Sequence, residues 1–233
     1  MKILAIDTSN YALGIALLNG EQVVGEYITN LKKNHSVRAM PAIERLMKDC
    51  DMKPSELDKI VVAKGPGSYT GVRIGVTIAK TLAWTLGIPI SGVSSLEVLA
   101  ANGKFFRGLI SPLFDGRRGQ IYTGLYEGQN GSINRLRDDM IVQSSEWAEE
   151  LAGMDKDILF VGNDVPLHKE VLQSVLGDRA IFADVAALNP RPSELALIGR
   201  NLPAEDVHEF VPNYVRLAEA EANWLKQQKQ EQG

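Results

Sequence analysis

The sequence predicts an α/β protein of two related lobes, and three observations lead to this prediction. Strand-like apolar runs alternate with helical patterns along most of the chain. The order strand–strand–strand–helix–strand–helix runs once from the N-terminus and again from Gly108. The last helix of each copy also has a similar sequence, SSLEVLAANG in the first and PSELALIGRN in the second. Helices packed on mixed sheets are the architecture that such an order produces.

In the first copy, a turn at Asp7-Thr8-Ser9-Asn10 follows the first strand, and Asn19-Gly20 predicts a hairpin. Another helix is expected to start near Ser95. The other predicted elements are strands at Lys2–Ile6, Ala12–Leu18, Gln22–Ile28, Lys59–Ala63 and Ile88–Val93, and helices at Ser36–Asp49 and from the glycine-rich loop to Leu86.

In the second copy, a strand from Gly108 leads to a turn at Asp115, and the next strand is expected to turn at Glu127-Gly128. Asp115 and Gly128 are thirteen residues apart, as are Asp7 and Gly20. The remaining predicted elements are helices at Ser145–Leu151, at Leu167–Leu176 and from Pro192, and strands at Ile158–Val161 and Ala180–Ala183. The predicted division is therefore 1–103 for one lobe, 104–221 for the other, and 222–233 for a polar tail.

Composition excludes several classes of protein. Of the 233 residues, 45% are hydrophobic and 23% charged, which is ordinary for a globular protein with a substantial core. The net charge of -4 argues against a protein that binds nucleic acid directly through its own surface. The single cysteine, Cys50, excludes an intrachain disulfide and a multi-cysteine metal site. Without a signal peptide or a membrane-spanning apolar run, we expect a cytoplasmic protein.

The stretch VVAKGPGSYTGVRIG, residues 61–75, raises the question of phosphate binding. No Gly-Lys-Ser/Thr occurs in the chain, so the Walker pattern is absent. The dinucleotide pattern G-x-G-x-x-G also fails, because Thr70 stands where its third glycine would be. Pro66 removes one backbone N–H donor from the loop. These features favour a structural turn, with weak anion binding at the next helix N-terminus as the alternative.

The helix after this loop carries small residues at every fourth position: Gly71, Gly75, Ala79 and Ala83. They form one ridge, which allows close packing of a neighbouring element. Gly75 costs the helix about 1 kcal/mol, so close packing is expected to offset it. The neighbour is either a second helix of the same lobe or a partner subunit.

The preceding helix has an apolar stripe of its own, and methionines adapt well to contact surfaces. The two helices together are the predicted partner surface. Its residues are Val37, Met40, Ile43, Met47, Gly71, Gly75, Ile78, Ala79, Leu82 and Ala83.

No catalytic or metal-binding residue is predicted. Asp7 follows the first strand, but Thr8 and Ser9 would crowd a phosphate, so a local Asx-type turn is favoured. Arg117 and Arg118, which follow Asp115, are candidate contacts for an anion or RNA, although a solvated turn is favoured. The chain has no Gly-Gly dipeptide and no G-x-S-x-G pattern, and no histidine pair at helical spacing.

Five stretches carry a resemblance to a known family: IDTSNYALGIALLNG, KGPGSYTGVRIG, GVSSLEVLA, DGRRGQIY and VPNYVRLAEAE. From Lys2 to about Glu221 the chain resembles the bacterial TsaB family, and its duplicated unit resembles the actin-like, sugar-kinase-like (ribonuclease H-like) fold. TsaD, a relative, carries N-H-L-E-x-H where this chain has Ser94 to Leu99. Ser95 and Leu99 thus stand in place of two metal-binding histidines.

This resemblance implies a non-catalytic subunit that pairs with TsaD through the two helices. TsaD attaches the threonylcarbamoyl group to the adenosine following the anticodon of ANN-decoding tRNAs. The resemblance further implies contact with TsaE through the complex, indirect contact with tRNA, and no cofactor on this chain, with ATP and metal on TsaD and TsaE.

Two other hypotheses remain open. An autonomous ATPase or kinase would rest on Asp7, Asp115 and the fold alone, which is an argument by analogy. A homodimer could use the same helices in isolation. The C-terminal Leu217, Trp224 and Leu225 predict a last helix, frayed from Gln227 onward.

Overall fold

Two five-stranded mixed sheets form the centre of the protein in its computed structural model, which describes residues 1–215. The predicted last helix around Leu217, Trp224 and Leu225 and the predicted tail at 222–233 lie outside the described residues. The first sheet contains β1 (Lys2–Asp7), β2 (Ala12–Asn19), β3 (Gln22–Asn30), β4 (Lys59–Ala63) and β5 (Ile90–Val93). The second contains β6 (Leu109–Arg117), β7 (Gln120–Gln129), β8 (Ser132–Gln143), β9 (Ile158–Val161) and β10 (Ala180–Phe182).

The helices follow the predicted order. They are α1 (His35–Asp49), α2 (Tyr69–Leu86), α3 (Ser95–Ala100), α4 (Ser144–Ala152), α5 (Val165–Leu176) and α6 (Pro192–Arg200). Asn34 caps α1 by accepting a hydrogen bond from the Ser36 N–H, and Gly87 ends α2 in the left-handed conformation that glycine adopts without strain.

The two sheets have the same topology. Their strand orders are β3-β2-β1-β4-β5 and β8-β7-β6-β9-β10, so each strand has a counterpart in the other sheet. In both, the first strand pairs antiparallel with the second and parallel with the fourth. This repetition confirms the predicted α/β fold, in which one unit of three strands, helix, strand and helix occurs twice.

One predicted turn is wrong. The second hairpin of the second sheet turns at Asn130-Gly131 rather than at Glu127-Gly128, which lies inside β7. Asn130 and Gly131 have φ angles of 52° and 79°, a left-handed conformation that these two residue types adopt most readily. Gly128 serves another purpose, because a Cβ there would lie 2.4 Å from the Lys104 carbonyl oxygen. The equal spacing of thirteen residues in the two copies therefore does not mark equivalent turns.

The last helix of each copy packs on the other copy's sheet. Helix α6 lies on β1, β2 and β4, where Leu195 and Ala196 join the apolar cluster around Ile3 and Val61. Helix α3 lies on β6 and β7, where Leu96 and Leu99 pack with residues of the second sheet. Helices α1 and α2 cover the remaining face of the first sheet. The division into lobes at 103/104 stays a prediction. Helices α3 and α6 each pack on the sheet from the other side of this boundary.

Candidate protein-binding site

The turn after β1 is built around the carboxylate of Asp7. Its Oδ1 accepts hydrogen bonds from the Ser9 N–H at 2.8 Å and the Ser9 hydroxyl at 2.7 Å, which confirms the predicted Asx-type turn. Asp7 is buried, and its Oδ2 has no hydrogen-bond partner within residues 1–215. Burial raises the pKa of Asp7, and the Ser9 hydrogen bonds and the nearby His35 oppose this only in part. The turn therefore holds its acid in a strongly desolvated position.

The glycine-rich loop between β4 and α2 is filled by the protein's own backbone. Gly65 and Gly67 have φ angles of 101° and 156°, and a Cβ on Gly67 would lie 2.2 Å from the Ser9 carbonyl oxygen. The Ser68 N–H donates to that same oxygen at 2.7 Å, and the Gly65 N–H donates to the Ser95 hydroxyl at 3.1 Å. Ser68 then caps α2. These contacts agree with the interpretation of the loop as a close-packed turn.

The small-residue ridge of α2 faces inward, which corrects the predicted surface. Gly71, Gly75, Ala79 and Ala83 are all buried. A Cβ on Gly71 would lie 2.2 Å from the Thr8 carbonyl oxygen, and one on Gly75 would lie 2.4 Å from the Thr8 hydroxyl. The ridge thus allows α2 to approach its own sheet and the turn after β1. A partner cannot reach it in the folded monomer.

The apolar stripe of α1 has a buried part and an exposed part. Ile43 and Met47 lie in the core of the first lobe, so their predicted partner contact is also wrong. Val37 is 68% exposed and Met40 is 43% exposed. On α2, Ile78 and Leu82 are half-buried at the edge of this core. These four residues of the predicted surface remain candidates for contact with a partner.

An apolar groove runs between the exposed edges of α1 and α2. Its volume is about 460 Å³. The residues that line it are Ser36, Met40, Tyr69, Thr70, Arg73, Ile74, Thr77 and Ile78. Further along α2, Trp84 is 67% exposed. Exposed apolar side chains grouped along a groove are typical of protein–protein contact.

An aromatic cluster forms the rim of this groove at the start of α2. The Arg73 guanidinium lies 4.1 Å from the ring centroid of Tyr69, and its Nε donates a hydrogen bond to the Tyr214 hydroxyl at 2.7 Å. The two tyrosine rings are 5.5 Å apart. The cation–π contact, the hydrogen bond and the tilted aromatic contact hold the 211–214 segment against α2.

Sequence reasoning missed Tyr69, Arg73, Trp84 and Tyr214 as part of this face. Tyr214 is 141 residues from Arg73, so no local pattern could place it there. Trp84 gave a usable signal, since it follows Thr77 and Thr81 at helical spacing on the polar stripe of α2. A tryptophan on a solvent-facing stripe points to contact.

The corresponding turn of the second lobe places Arg117 and Arg118 on the surface. Both are exposed, with φ angles of 66° and 54°; Arg117 is the last residue of β6, and Arg118 begins the tight turn to β7. Asp115 accepts a hydrogen bond from the Arg117 N–H and lies 3.1 Å from Nε2 of the buried His168. Asp115 thus pairs with His168 rather than with an arginine side chain. A role for the two arginines in anion or RNA contact stays a prediction.

The two positions that carry metal-binding histidines in TsaD have structural contacts here. Ser95 and Leu99 are fully buried, Ser95 by the glycine-rich loop and Leu99 in the cluster under α3. Nearby, the Ser94 hydroxyl donates to Asp139 at 2.6 Å and the Tyr126 hydroxyl donates to the same carboxylate at 3.1 Å. Burial raises the pKa of both Asp139 and Tyr126. Across residues 1–215, no cluster of histidine, cysteine or acidic side chains could hold a metal ion.

A second surface cavity, of about 570 Å³, lies at the end of the second sheet where β6 begins, away from the turn that carries Arg117 and Arg118. Its lining includes Phe105, which is 79% exposed, and Lys104, Arg107 and Lys156. Two of the three cations are already paired, Lys104 with Glu194 and Lys156 with Glu127.

In the part of the chain that the structure describes, no helix has the length and apolarity needed to cross a membrane.

Comparison with known proteins adds independent evidence. Residues 22–224 match the family model described as TsaD, tRNA N6-adenosine threonylcarbamoyltransferase. The chain is 62% identical over 229 residues to the tRNA threonylcarbamoyladenosine biosynthesis protein TsaB of Bacillus subtilis (strain 168), covering 98% of this chain and 100% of that protein. It is 32% identical over 135 residues to TsaB of Escherichia coli (strain K12), covering 57% of this chain and 58% of that protein.

Solved structures share the fold. YeaZ from Pseudomonas aeruginosa superposes with a TM-score of 0.75 at 23% identity, covering 91% of this chain and 99% of that one. A further Pseudomonas aeruginosa structure, of an uncharacterized protein with similarity to peptidase YeaZ, gives a TM-score of 0.78 at 24% identity, with coverage of 92% and 99%. Sequence identity over nearly the full length, together with the matching topology, decides the family: the chain belongs to the TsaB family.

Proposed function

We propose that this chain is a non-catalytic cytoplasmic subunit that binds and stabilises TsaD. The complex would form N6-threonylcarbamoyladenosine next to the anticodon of ANN-decoding tRNAs. The observation that carries the proposal is the exposed apolar groove between α1 and α2, with Met40 on one side and Ile74 on the other and the exposed Val37 nearby on α1. Relatives named as tRNA threonylcarbamoyladenosine biosynthesis proteins support a role in this pathway.

A related fold makes TsaD a suitable occupant of the groove. The chain matches the TsaD family model over most of its length, so TsaD is expected to present an equivalent helix pair. Two similar helix pairs can pack face to face about an approximate two-fold axis, as the halves of a symmetric dimer do. A homodimer through the same groove would compete with this pairing in isolation.

In this complex, the transfer reaction and the binding of ATP and metal would belong to the partner subunits. Ser95 and Leu99 already have structural contacts, and leucine has no lone pair for a metal ion. ATP and metal would therefore bind to TsaD and TsaE, with TsaE joining through the complex. The net charge of -4 gives this chain little attraction for tRNA, so contact with tRNA would be indirect.

Substitutions on the exposed part of α1 test the interface without disturbing the core. Val37→Asp combined with Met40→Asp should weaken binding to TsaD at least ~30-fold by calorimetry, because it desolvates two carboxylates in the contact. Leu167→Asp is the matched control, since Leu167 is 69% exposed on α5 of the other lobe. Equal affinity of the double variant and the control would contradict the proposed interface.

Reconstitution tests the role itself. TsaD, TsaE and the TsaC-type synthase are combined with tRNA, with and without this chain, and modified adenosine is measured. We expect modification to require the chain and to fall with the Val37/Met40 variant. Modification at full rate in its absence would contradict the role of an obligate subunit.

A nucleotide-binding enzyme is the second candidate, and the unpartnered Oδ2 of Asp7 is the observation that favours it. The Thr8 hydroxyl, however, donates to the Gly71 carbonyl oxygen at 2.7 Å, and Ser9 lies against Gly67. The protein's own chain therefore fills the space between the turn after β1 and the glycine-rich loop. Calorimetry of the isolated chain with ATP and magnesium distinguishes the candidates. Micromolar binding that Asp7→Asn abolishes would favour the enzyme.

A further inference from the structure

The second lobe presents a helix pair that corresponds to α1 and α2. Helix α4 follows β8 and α5 follows β9, as α1 follows β3 and α2 follows β4 in the first copy. The two helices pack against each other, and Trp147 of α4 and Leu172 of α5 belong to one core cluster. The duplicated fold therefore places one helix pair on the outside of each sheet.

Helix α5 carries apolar residues on its solvent side. Leu167, Val171 and Val175 are all exposed, and we refer to these three as the α5 stripe. Their spacing of four places them on one face of the helix, beside the buried face of Leu172 and Leu176. Adjacent apolar side chains in contact with water are typical of a protein-binding surface.

The charges around the two helix pairs are opposite in sign. Residues 31–53 and 69–86, which contain α1 and α2, hold eight lysine and arginine residues and three acidic ones. Residues 144–187, which contain α4 and α5, hold three lysine and arginine residues and nine acidic ones. A chain with a net charge of -4 thus has one basic and one acidic helix pair.

Neighbouring charges reduce both excesses without reversing either. The neighbours of the first pair are Lys64, Glu205, Asp206 and Glu209, and those of the second are Asp115, Arg117, Arg118 and Arg137. With these included, the first pair has nine cations and six acids, and the second has six cations and ten acids. Residues 216–233 contain three cations and three acids, so they do not change the balance wherever they lie.

Both helix pairs have charges that are not neutralised within residues 1–215. Arg73 and Lys80 of α2 donate hydrogen bonds to uncharged oxygens, which leaves their positive charge uncompensated. Glu146 and Glu149 of α4 and Glu170 of α5 are exposed and form no ion pair in this part of the chain. Opposite charges of this kind steer two surfaces together and fix their register.

We propose that a second copy of this chain docks its groove between α1 and α2 on the α5 stripe of the first, so that the free protein associates head to tail. The stripe would lie against Met40 and Ile74 of the groove, with the acidic pair facing the basic one. Two grooves packed together would instead oppose like charges, which disfavours the symmetric homodimer. Unlike faces leave one free face at each end, so further copies can add.

TsaD would limit the growth of such an assembly. It is proposed above to occupy the same groove, so this consequence rests on the proposed function, whereas the head-to-tail contact does not. A chain bound to TsaD would keep its α5 stripe free and could accept another copy there.

Sedimentation velocity of two full-length variants, alone and mixed in the absence of TsaD, tests the pairing. Val37→Asp/Met40→Asp disables the groove, and Leu167→Asp/Val171→Asp disables the α5 stripe. Each variant keeps one face but lacks the face that binds it. We expect either variant alone to associate at least about 20-fold more weakly than the wild type, and an equimolar mixture to form a dimer that does not grow. Gln173→Asp, on another face of α5, is the control and should associate like the wild type.

The mixture distinguishes the head-to-tail contact from a symmetric one. Dimerisation of the Leu167/Val171 variant alone would overturn the proposal, because the groove would then pair with itself. A mixture that stays monomeric, or a wild type that is monomeric at every concentration, would also overturn it. If the aspartate pair on α5 loses the unfolding transition of the wild type, Leu167→Ala/Val171→Ala removes the same side chains without adding charge and takes its place.

Ionic strength gives the second arm. Raising the salt concentration from about 50 mM to about 500 mM should weaken association of the wild type about ten-fold, because salt screens the charges of both helix pairs. Association that does not depend on salt would overturn the pairing of a basic with an acidic face.

The failure of this proposal can be told apart from that of the proposed function. A monomeric mixture together with tight binding of TsaD would remove only the head-to-tail contact. A dimeric mixture without binding of TsaD in calorimetry would support this contact and remove only the proposed function.

Discussion

Thr8 connects the turn after β1 to α2 through a single side chain. Its hydroxyl donates to the Gly71 carbonyl oxygen at 2.7 Å and would lie 2.4 Å from a Cβ on Gly75. Gly75 is therefore kept by a contact within the lobe, even though glycine weakens the helix. The sequence correctly indicated close packing at this position, but it could not indicate what packs there.

The effect of Gly75→Ala on the free energy of unfolding should depend on position 8, being destabilising with threonine there and stabilising with alanine. With Thr8 present, the new methyl group overlaps the hydroxyl, and we expect a loss of about 1–2 kcal/mol in the free energy of unfolding. In a Thr8→Ala background the hydroxyl is gone, and the higher helix propensity of alanine should make Gly75→Ala stabilising by about 0.5 kcal/mol. Urea unfolding of the four proteins gives the coupling, and strict additivity would contradict this account.

Asp7 makes stability depend on pH in a specific direction. Burial raises the pKa of Asp7 above its ordinary value of 3.8, so above that pH the folded state binds more protons than the unfolded state. The contribution of this residue to stability therefore falls as pH rises from 3.8 through the folded-state pKa. Asp7→Asn keeps an oxygen acceptor for Ser9 and should be more stable than the wild type at pH 7.

Unfolding free energies of the wild type and Asp7→Asn, measured between pH 3 and pH 8, check this expectation. The difference between the two should be small at pH 3 and should grow with pH. A constant difference over this range would show that the raised pKa of Asp7 has no effect on stability.

Helix α2 shows what an element's pattern can and cannot predict. The sequence correctly predicted its C-terminal end at Leu86, and its exposed residues include Arg73, Thr77 and Thr81. Strands β4 and β9 have the predicted bounds, since both are short, continuous apolar runs. The pattern could not say which of two apolar sides faces the sheet, because burial depends on contacts with Thr8 and Val62, which are far away in sequence. The contact of Tyr214 with α2 was unpredictable for the same reason.

The N-terminal cap of α2 is an element-level feature with a measurable effect. The Ser68 hydroxyl accepts a hydrogen bond from the Gly71 N–H at 3.2 Å. Ser68→Ala should lower the free energy of unfolding by about 1 kcal/mol, because it leaves that donor without its acceptor. Ser36→Ala is the control, since Ser36 follows the cap of α1 and is exposed. Equal stability of the two variants, measured by denaturant unfolding, would contradict a capping role.

At the scale of the whole molecule, the exchange of α3 and α6 joins the two lobes. Leu195 and Ala196 complete the cluster beneath the first sheet, and Leu96 and Leu99 complete the one beneath the second. The duplicated order of elements was readable from the sequence, but this exchange was not. Periodicity is a property of one segment, whereas the choice of sheet depends on the arrangement of both copies.

The exchange predicts a single unfolding transition. Gly199 of α6 packs against β4, and an added Cβ would lie 2.1 Å from Cγ1 of Val61. Gly199→Val should therefore lower stability by about 2 kcal/mol. The change should appear in the fluorescence of Trp147, which is buried in the core of the second lobe, once Trp84 and Trp224 are replaced by phenylalanine in both proteins. An unchanged Trp147 transition would mean that the lobes unfold independently.

The same exchange constrains how the chain folds during synthesis. The face of the first sheet around Ile3 and Val61 is covered by α6, whose residues leave the ribosome after most of the chain. At roughly 5–20 residues per second, that face stays uncovered for about 7 to 27 seconds after β4 has emerged. Nascent chains of this protein should therefore expose an apolar sheet face for most of translation, and they should recruit chaperones there until α6 arrives.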